Sequence, residues 1–254
     1  MREIIRWTEP RGREGGANRR RVLLIYRDHR EGCIYALRLL RRSIEGGRKV
    51  FYLSLSERTE GLMEILRDSM GWVGGEPLKI IGSEEARDYL GTLLGAEMGW
   101  APEDAQIYLD LGLDPLPKES LILRLCDENI REALPPGVTL ILGCGLKLMS
   151  EIDMNTFIEI MDAHDSILFS FGEGRKAFSE AVESMVCRVL GRVPCDTIFK
   201  ILEQRYNLRK EAIAEEFCMF KGFLRGLFGY GGTIIKRLIL EELYKWAVEK
   251  GKEG

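Results

Sequence analysis

The stretch Arg21-Val22-Leu23-Leu24-Ile25-Tyr26, followed by Arg27-Asp28-His29-Arg30-Glu31-Gly32-Cys33-Ile34, decides the fold class of this 254-residue chain. The first six residues form a short, apolar, partly β-branched run of the kind found in buried parallel strands. A polar turn follows, and from Ile34 onward apolar residues recur at helical spacing until Gly46-Gly47 ends the pattern. A strand that leads into a helix in this way predicts the start of an α/β sheet.

The same alternation of strand and helix continues to about residue 190. It predicts a doubly wound, three-layer α/β sandwich around a mostly parallel sheet with right-handed crossovers. Further strands are predicted at 49–55, 78–81, 106–110, 138–142 and 166–171, and further helices at 59–70, 84–95, 119–134, 153–162 and 172–189.

The character of the sequence changes at Pro194, after which no strand is evident. We divide the chain into a basic N-terminal segment (1–20), an α/β domain (21–193) and a small all-helical C-terminal module (194–254). A module of this size is not comfortably stable alone, so we expect it to dock on the sheet domain or on another subunit. Its helices are predicted near 196–206, 210–227 and 233–250, and the last carries an apolar stripe that must be buried, formed by Ile234, Ile235, Leu238, Ile239 and Leu243.

Hydrophobic residues make up 45% and charged residues 30% of the chain, a balance that indicates a globular protein and excludes bulk disorder. No apolar run reaches the length of a membrane span. The first residues, Met1 to Arg6, lack the apolar stretch of a signal peptide. We therefore expect a soluble, cytoplasmic protein without a membrane partner.

The chain has six cysteines but no Cys-x-x-Cys pair, and its two histidines are His29 and His164. A zinc site with close ligand spacing is therefore not predicted, and no metal or cofactor is expected. Cys187 and Cys218 follow apolar residues and are interpreted as small buried hydrophobes. The Arg-, Glu- and Ile-rich composition hints at a thermophilic source, in which an intracellular disulfide is an alternative. His164 is interpreted as a turn residue.

The connection between the first strand and the first helix is the place where a P-loop nucleotide site would lie. Such a site needs Gly-x-x-x-x-Gly-Lys-Ser/Thr, because backbone N–H groups wrap the phosphates, the lysine neutralises them and the hydroxyl holds magnesium. In this chain the corresponding residues are Tyr26, Arg27, Asp28, His29, Arg30, Glu31, Gly32, Cys33 and Ile34.

Two neighbouring stretches carry a family resemblance, Gly46-Gly47-Arg48-Lys49-Val50-Phe51-Tyr52-Leu53-Ser54-Leu55-Ser56-Glu57 and Glu64-Ile65-Leu66-Arg67-Asp68-Ser69-Met70-Gly71-Trp72. With the strand, loop and helix before them, they resemble the archaeal KaiC-like branch of the RecA superfamily. The resemblance covers residues 20–75 in its motifs and 105–172 in pattern only. It implies a RecA-like sheet. Residues 223–244 further resemble a helical module that ends archaeal regulatory proteins.

The resemblance implies a degenerate P-loop. It places Gly32 at the last glycine of the loop, Cys33 where the lysine belongs and Ile34 where the magnesium-binding hydroxyl belongs. Tyr26 or Arg27 replaces the opening glycine. Asp110 takes the place of the Walker B aspartate, and Glu57 is the one that remains of two strand-end glutamates.

The function that these losses imply is a catalytically inactive RecA-like protein that acts as a binding or regulatory subunit. Its expected partner is a second copy, with a dimer favoured, or an active ATPase paralogue. One alternative is an enzyme or atypical nucleotide binder that uses Asp28 to Glu31, with Cys33 nearby, for acid–base or thiol chemistry, although four polar residues in a tight loop are more often simply solvated. Another alternative, from fold analogy alone, is a DNA-binding recombination accessory.

Charge is distributed unevenly, because residues 1–50 carry a net charge of +8 and the remainder −11. Such a basic segment could hold a polyanion such as a nucleic acid, although ion pairing with the acidic remainder is the commoner meaning of a charge run. The candidate contacts are Arg11, Arg13, Arg19, Arg20, Arg21, Arg38, Arg41 and Arg42.

Overall fold

The structure is a computed structural model that describes residues 20–55, 78–82, 86, 105–111, 124–128, 132, 134–135 and 137–252, apart from the side chain of Arg42. Several predictions lie outside these residues. They are the basic N-terminal segment up to residue 19, the helix at 59–70, most of the helices at 84–95 and 119–134, the strand-end acid Glu57 and the Gly71-Trp72 motif.

Six parallel strands form one sheet in the order β3-β2-β4-β5-β1-β6. The strands are β1 (Arg20–Tyr26), β2 (Val50–Ser54), β3 (Leu78–Ile81), β4 (Gln106–Asp110), β5 (Thr139–Gly145) and β6 (Ser166–Phe169). Each lies where an apolar run predicted it, and the α/β fold class is confirmed. Strand β5 separates β1 from β4, with Tyr26 paired to Gly145 and Asp110 paired to Gly143. The carboxyl ends of β1, β4 and β5 therefore meet at one edge of the sheet.

The two faces of the sheet carry two separate cores. Helix α1 (His29–Glu45) covers one face, on which alternate residues of β1, such as Leu24, pack against α1 residues, such as Leu37. The opposite face, with Leu23 and Ile25, belongs to a larger core built with the helices that follow β5. These helices are α2 (Leu146–Glu151), α3 (Met154–Ala163), α4 (Gly172–Leu190), α5 (Arg192–Tyr206), α6 (Phe217–Phe228) and α7 (Tyr230–Gly251).

Helix α7 packs along α2, α4 and α6, so the C-terminal helices share the larger core with the sheet. Ile235, Ile239 and Leu243 are buried there, as the apolar stripe predicts. Ile234 differs from the prediction, because it is 48% exposed and lies outside the packed face of α7. The predicted stripe is therefore one residue too wide on that side of the helix.

The helix predicted at 210–227 is interrupted. A 3-10 turn at Lys210–Ala212 and a further turn precede α6, which begins only at Phe217. The last helix begins earlier than its predicted start near residue 233. Only Gly229, with a positive φ of 54°, separates the helices, and Tyr230, Gly231 and Gly232 form the first turn of α7.

Two cysteines contradict their interpretation as buried hydrophobes. Cys187 forms a disulfide with Cys195 across the corner between α4 and α5, and Cys218 is exposed. The disulfide alternative is thus the one that the structure realises, because both half-cystines flank Gly191, where the chain reverses between the two helices. Among the described residues, none of the helices combines the length and the apolar character that crossing a membrane requires.

Candidate functional site at the carboxyl ends of β1 and β4

The connection from β1 to α1 is too short to form a phosphate-binding loop. Strand β1 ends at Tyr26 and α1 begins at His29, so only Arg27 and Asp28 lie between them. Asp28 caps the helix, since the backbone N–H of Glu31 donates to its Oδ1 at 3.1 Å and the N–H of Gly32 donates to its carbonyl oxygen at 2.9 Å. The first-turn N–H groups that would bind phosphate in a P-loop are thus partly used within the chain.

Asp110, the last residue of β4, is the centre of a buried polar cluster. Its side chain is 1% exposed, and His29 Nε2 lies 2.7 Å from its Oδ2. The Tyr26 hydroxyl donates to Oδ1 at 2.9 Å, and the Tyr52 hydroxyl donates to Oδ2 at 3.3 Å. Both carboxylate oxygens are therefore held by side chains from β1, β2 and α1, which brings together three elements that are distant in the sequence.

Cys33 completes this cluster from the next turn of α1. Its Sγ lies 3.8 Å from each ring nitrogen of His29 and 3.4 Å from the Tyr52 hydroxyl. Residues four apart on a helix share one face, which is why His29 and Cys33 both face the end of β4. Cys33 is 2% exposed. Its thiol is therefore a buried partner of the cluster and not a solvent-accessible nucleophile.

The charge of the cluster follows from these contacts. The hydrogen bond to Asp110, with a further one to Cys33, raises the pKa of His29 to about 10 although partial burial opposes the shift. His29 is therefore an imidazolium at neutral pH, and the pair is an ion pair. Burial, followed by the nearby charge of Asp110, raises the pKa of Tyr26 and Tyr52 well above the ordinary range, so both remain neutral donors.

Two glycines permit the close packing beneath the cluster. A Cβ on Gly32 would lie 2.5 Å from the ring of Tyr26, and a Cβ on Gly143 would collide with the hydroxyl of Tyr108. The Tyr108 ring lies beside that of Tyr52, with 4.7 Å between centroids. Its hydroxyl is buried without a hydrogen-bond partner among the described residues. The tyrosines thus fit only because α1 and β5 carry no side chain at these two points.

The neighbouring residues of the β1–α1 connection and of α1 contact other parts of the chain. The Arg27 guanidinium lies 2.6 Å from Glu173 Oε2 and 4.7 Å from the centroid of the Phe171 ring, which ties the β1–α1 connection to the start of α4. The hydrogen bond from Arg27 lowers the pKa of Glu173. A separate groove of about 370 Å³ runs along the outer side of α1 and is lined by Asp28, Arg30, Glu31, Ile34, Tyr35, Arg38 and Ser170.

The interpretation of residues 28–31 as a solvated loop is wrong for His29. The prediction assumed that the four polar residues share one environment, whereas the helix begins at His29 and turns its side chain inward. Asp28 and Arg30 are exposed, as that interpretation expected. Asp110 lies at the strand end where the resemblance placed it, but the group that faces it is an internal cation.

The candidate polyanion contacts divide into four groups. Arg21 is buried and donates to the carbonyl oxygens of Cys126 and Asp127 and to Glu128, so it is not available to a ligand. Arg20 is half-buried and donates to Ser166. Arg38 and Arg41 are exposed on α1, and Arg41 pairs with Glu45. The remaining candidates, Arg11, Arg13, Arg19 and the side chain of Arg42, lie outside the described residues.

His164 caps the C-terminal end of α3, which agrees with a turn position, but it is buried and not solvated. Its Nδ1 lies 2.6 Å from the carbonyl oxygen of Ile160. Burial lowers the pKa of His164 to about 4. The two histidines of the chain therefore differ in protonation state at neutral pH, with His29 protonated and His164 neutral.

Sequence reasoning missed the tyrosines that surround Asp110. The signal was present, because Tyr52 and Tyr108 interrupt otherwise apolar strands, and Tyr108 precedes Asp110 by two residues and so shares its face. The family resemblance accounts for Tyr26 only as a residue that replaces the opening glycine of the loop. Polar aromatic residues on one face of buried strands predict a nearby hydrogen-bond acceptor, and Asp110 is that acceptor for Tyr26 and Tyr52.

No protein-family model matches this sequence, and no curated protein matches it. The site itself consists of a buried carboxylate, an imidazolium paired with it, a thiol and two tyrosine donors.

Proposed function

We propose that this chain is a catalytically inactive RecA-like protein that serves as a binding or regulatory subunit. The all-parallel sheet with Asp110 at a strand end is compatible with the RecA-type resemblance. The observation that carries the proposal is the His29–Asp110 ion pair at 2.7 Å. It supports the view that the strand ends have become a closed, self-neutralised part of the interior.

Phosphoryl transfer depends on groups that neutralise phosphate and hold magnesium. Here the residue in the place of the lysine is Cys33, a buried thiol, and Ile34 offers no hydroxyl. Asp110 already engages His29, Tyr26 and Tyr52. A triphosphate would have to displace His29 from Asp110, and nothing in the β1–α1 connection would replace the lost hydrogen bonds.

The partner that we propose is a second copy of this chain. Three large apolar side chains lie exposed around the α6–α7 corner, where Leu227 is 46%, Tyr230 is 81% and Ile234 is 48% exposed. Tyr230 and Ile234 are one helical turn apart on α7, and Leu227 lies one residue before the end of α6, so the three share one corner. We name this surface the α6–α7 corner. It is suited to burial in a dimer, or against an ATPase paralogue.

Nucleotide titration tests the inactive part of the proposal. We expect isothermal titration calorimetry with Mg²⁺ and ATP to show no binding at micromolar concentration, and phosphate release to stay at the background level. An active P-loop ATPase under the same conditions is the control. A ligand at a hundred times its dissociation constant stabilises a protein by about 2.7 kcal/mol, so thermal unfolding provides a second readout. Micromolar ATP binding that disappears in His29→Ala would overturn the proposal.

A further inference from the structure

The cluster at the end of β4 contains three metal-ligating side chains of different chemistry. His29, Cys33 and Asp110 each offer one ligand atom, and these atoms all lie within 4.8 Å of one another. His29 and Cys33 come from successive turns of α1, and Asp110 comes from the facing strand end. The spacing of these residues in the sequence does not predict a metal site. Only His29 and Cys33 are close to each other, and Cys33 is not part of a Cys-x-x-Cys pair.

An imidazole nitrogen, a thiolate and a carboxylate form a ligand set that suits zinc. Tetrahedral zinc holds nitrogen and oxygen at about 2.0–2.1 Å and sulfur at about 2.3 Å, so N–O and N–S separations of about 3.3 Å and 3.5 Å are required. The His29–Asp110 separation is 2.7 Å and the His29–Cys33 separation is 3.8 Å. These bond lengths imply that the His29–Asp110 separation must increase by roughly half an ångström. The His29–Cys33 separation must decrease by roughly a third of an ångström. The separation between the Cys33 sulfur and the Asp110 carboxylate, which is at most 4.8 Å, must also fit the ion.

The surrounding hydrogen bonds orient the same atoms. The Tyr26 hydroxyl holds Asp110 Oδ1, which leaves Oδ2 facing His29. The Tyr52 hydroxyl lies between Asp110 Oδ2 and Cys33 Sγ, at 3.3 Å and 3.4 Å. Partners that fix metal ligands in this way are a regular feature of metal centres. The His29 side chain is 19% exposed, which provides a route from solvent.

We propose that His29, Cys33 and Asp110 bind one zinc ion, with water in the fourth position. The ion replaces the proton that His29 now shares with Asp110. Binding converts the imidazolium to neutral imidazole and the thiol to thiolate, so two protons leave for each ion bound. The +2 charge of zinc then faces one carboxylate and one thiolate. This site goes beyond the proposed function and does not depend on it, because a zinc centre can stabilise a binding subunit as well as an enzyme.

Metal titration of the metal-free full-length chain tests the proposal. Cys218 is exposed, and an exposed thiol is a nonspecific ligand for zinc. The parent and all variants in this experiment therefore carry Cys218→Ser. We expect one equivalent of zinc, with two protons released when titrations in buffers of different ionisation enthalpy are compared. Affinity should rise with pH because the ligands must lose protons. Cobalt(II) should give tetrahedral visible bands together with a thiolate charge-transfer band.

Variants assign the ligands. Cys33→Ser and His29→Gln should each weaken zinc binding by about 100-fold or more, and Tyr52→Phe should weaken it by about 10-fold. Cys144→Ser is the matched control, because Cys144 is also buried but faces the opposite core, and it should bind zinc like the parent. Circular dichroism checks that each variant is folded.

The outcomes separate cleanly. Absence of stoichiometric zinc binding, or binding that Cys33→Ser and His29→Gln leave unchanged, would overturn the proposal. If a variant does not fold, the cobalt spectrum of the parent decides, since a spectrum without the thiolate band rules out Cys33 as a ligand.

Discussion

The imidazole of His29 and the carboxylate of Asp110 form a 2.7 Å ion pair that joins the first turn of α1 to the end of β4. In the sheet, β5 lies between β4 and β1, the strand that leads into α1. The imidazolium of His29 thus places a positive charge directly beside the buried carboxylate of Asp110. The proposed closure of the site and the proposed zinc site both involve these two residues.

The first prediction concerns the pH dependence of stability in the metal-free protein. The pKa of His29 is about 10 in the folded chain, against an ordinary value of 6.5. A group whose pKa is raised by folding contributes its full stabilisation below the unfolded value and loses it as the pH rises through the folded value. The contribution of the pair should therefore be complete near pH 6 and should vanish by about pH 10, by an amount on the order of a few kcal/mol.

Urea unfolding of the parent and of His29→Gln across this pH range measures the difference. We expect His29→Gln to be less stable near pH 6.5 and to converge with the parent as the pH approaches 10. Arg30→Gln is the matched control, because Arg30 is the exposed neighbour of His29. Its loss should change the free energy of unfolding by the same amount at both ends of the pH range. Parallel profiles for the parent and His29→Gln would show that the pair does not titrate in this way.

The second prediction concerns Gly143 and Tyr108. A methyl group at Gly143 would collide with the Tyr108 hydroxyl and ring, and both lie in the sheet, where neighbours cannot move apart easily. Gly143→Ala should therefore destabilise the chain by about 1–3 kcal/mol. Tyr108→Phe removes the colliding oxygen, so the double variant should recover part of this loss. Denaturant unfolding of both single variants and the double variant measures the coupling.

Gly172→Ala is the control for this series. Gly172 begins α4, and an added Cβ there would meet nothing within 4 Å. Its effect on the free energy of unfolding should stay within about 0.5 kcal/mol, as for most substitutions without a named mechanism. A loss at Gly143 no larger than that at Gly172, or a double variant without recovery, would contradict the close packing of Tyr108 on β5.

Apart from the edge strand β3, on which Lys79 is exposed, the strands could be predicted from the sequence because they are short apolar runs that are largely buried on both faces. Arg21-Val22-Leu23-Leu24-Ile25-Tyr26 is the clearest example, and all of its residues are buried. Asp110 could be placed at a strand end for the same reason. The contact between Asp110 and His29 could not be predicted. It depends on α1 beginning at His29 and on the order in the sheet of strands that are distant in the sequence. The Asp28–Glu31 cap signals that helix start, but a polar turn and a capped first turn look alike in composition.

The apolar stripe of α7 was predicted only in part, for a related reason. Periodicity locates an apolar face but not its limits, since the limits depend on which helices cover it. Leu240 is fully buried although it lies beyond the predicted stripe, and Ile234 is half exposed although it lies within it. The neighbours α2, α4 and α6 set this boundary, and their arrangement is not encoded in α7 itself.

The last prediction uses this boundary to separate folding from assembly. Ile239 is fully buried in the larger core, so Ile239→Glu places an unpaired carboxylate there and should destabilise the chain by about 3 kcal/mol or more, or prevent folding. Ile234 is 48% exposed on the α6–α7 corner. Ile234→Glu should therefore change the free energy of unfolding by no more than about 0.5 kcal/mol, but it should weaken self-association.

Thermal unfolding and multi-angle light scattering at tens of micromolar distinguish the two effects. We expect the parent to be a dimer, Ile234→Glu to be a folded monomer, and Ile239→Glu to lose its cooperative transition. A monomeric parent would contradict the proposed dimer. A dimeric Ile234→Glu would move the interface away from the α6–α7 corner. A stable Ile239→Glu would contradict the packing of α7 itself, because a carboxylate cannot remain at that position without either water or a cation beside it.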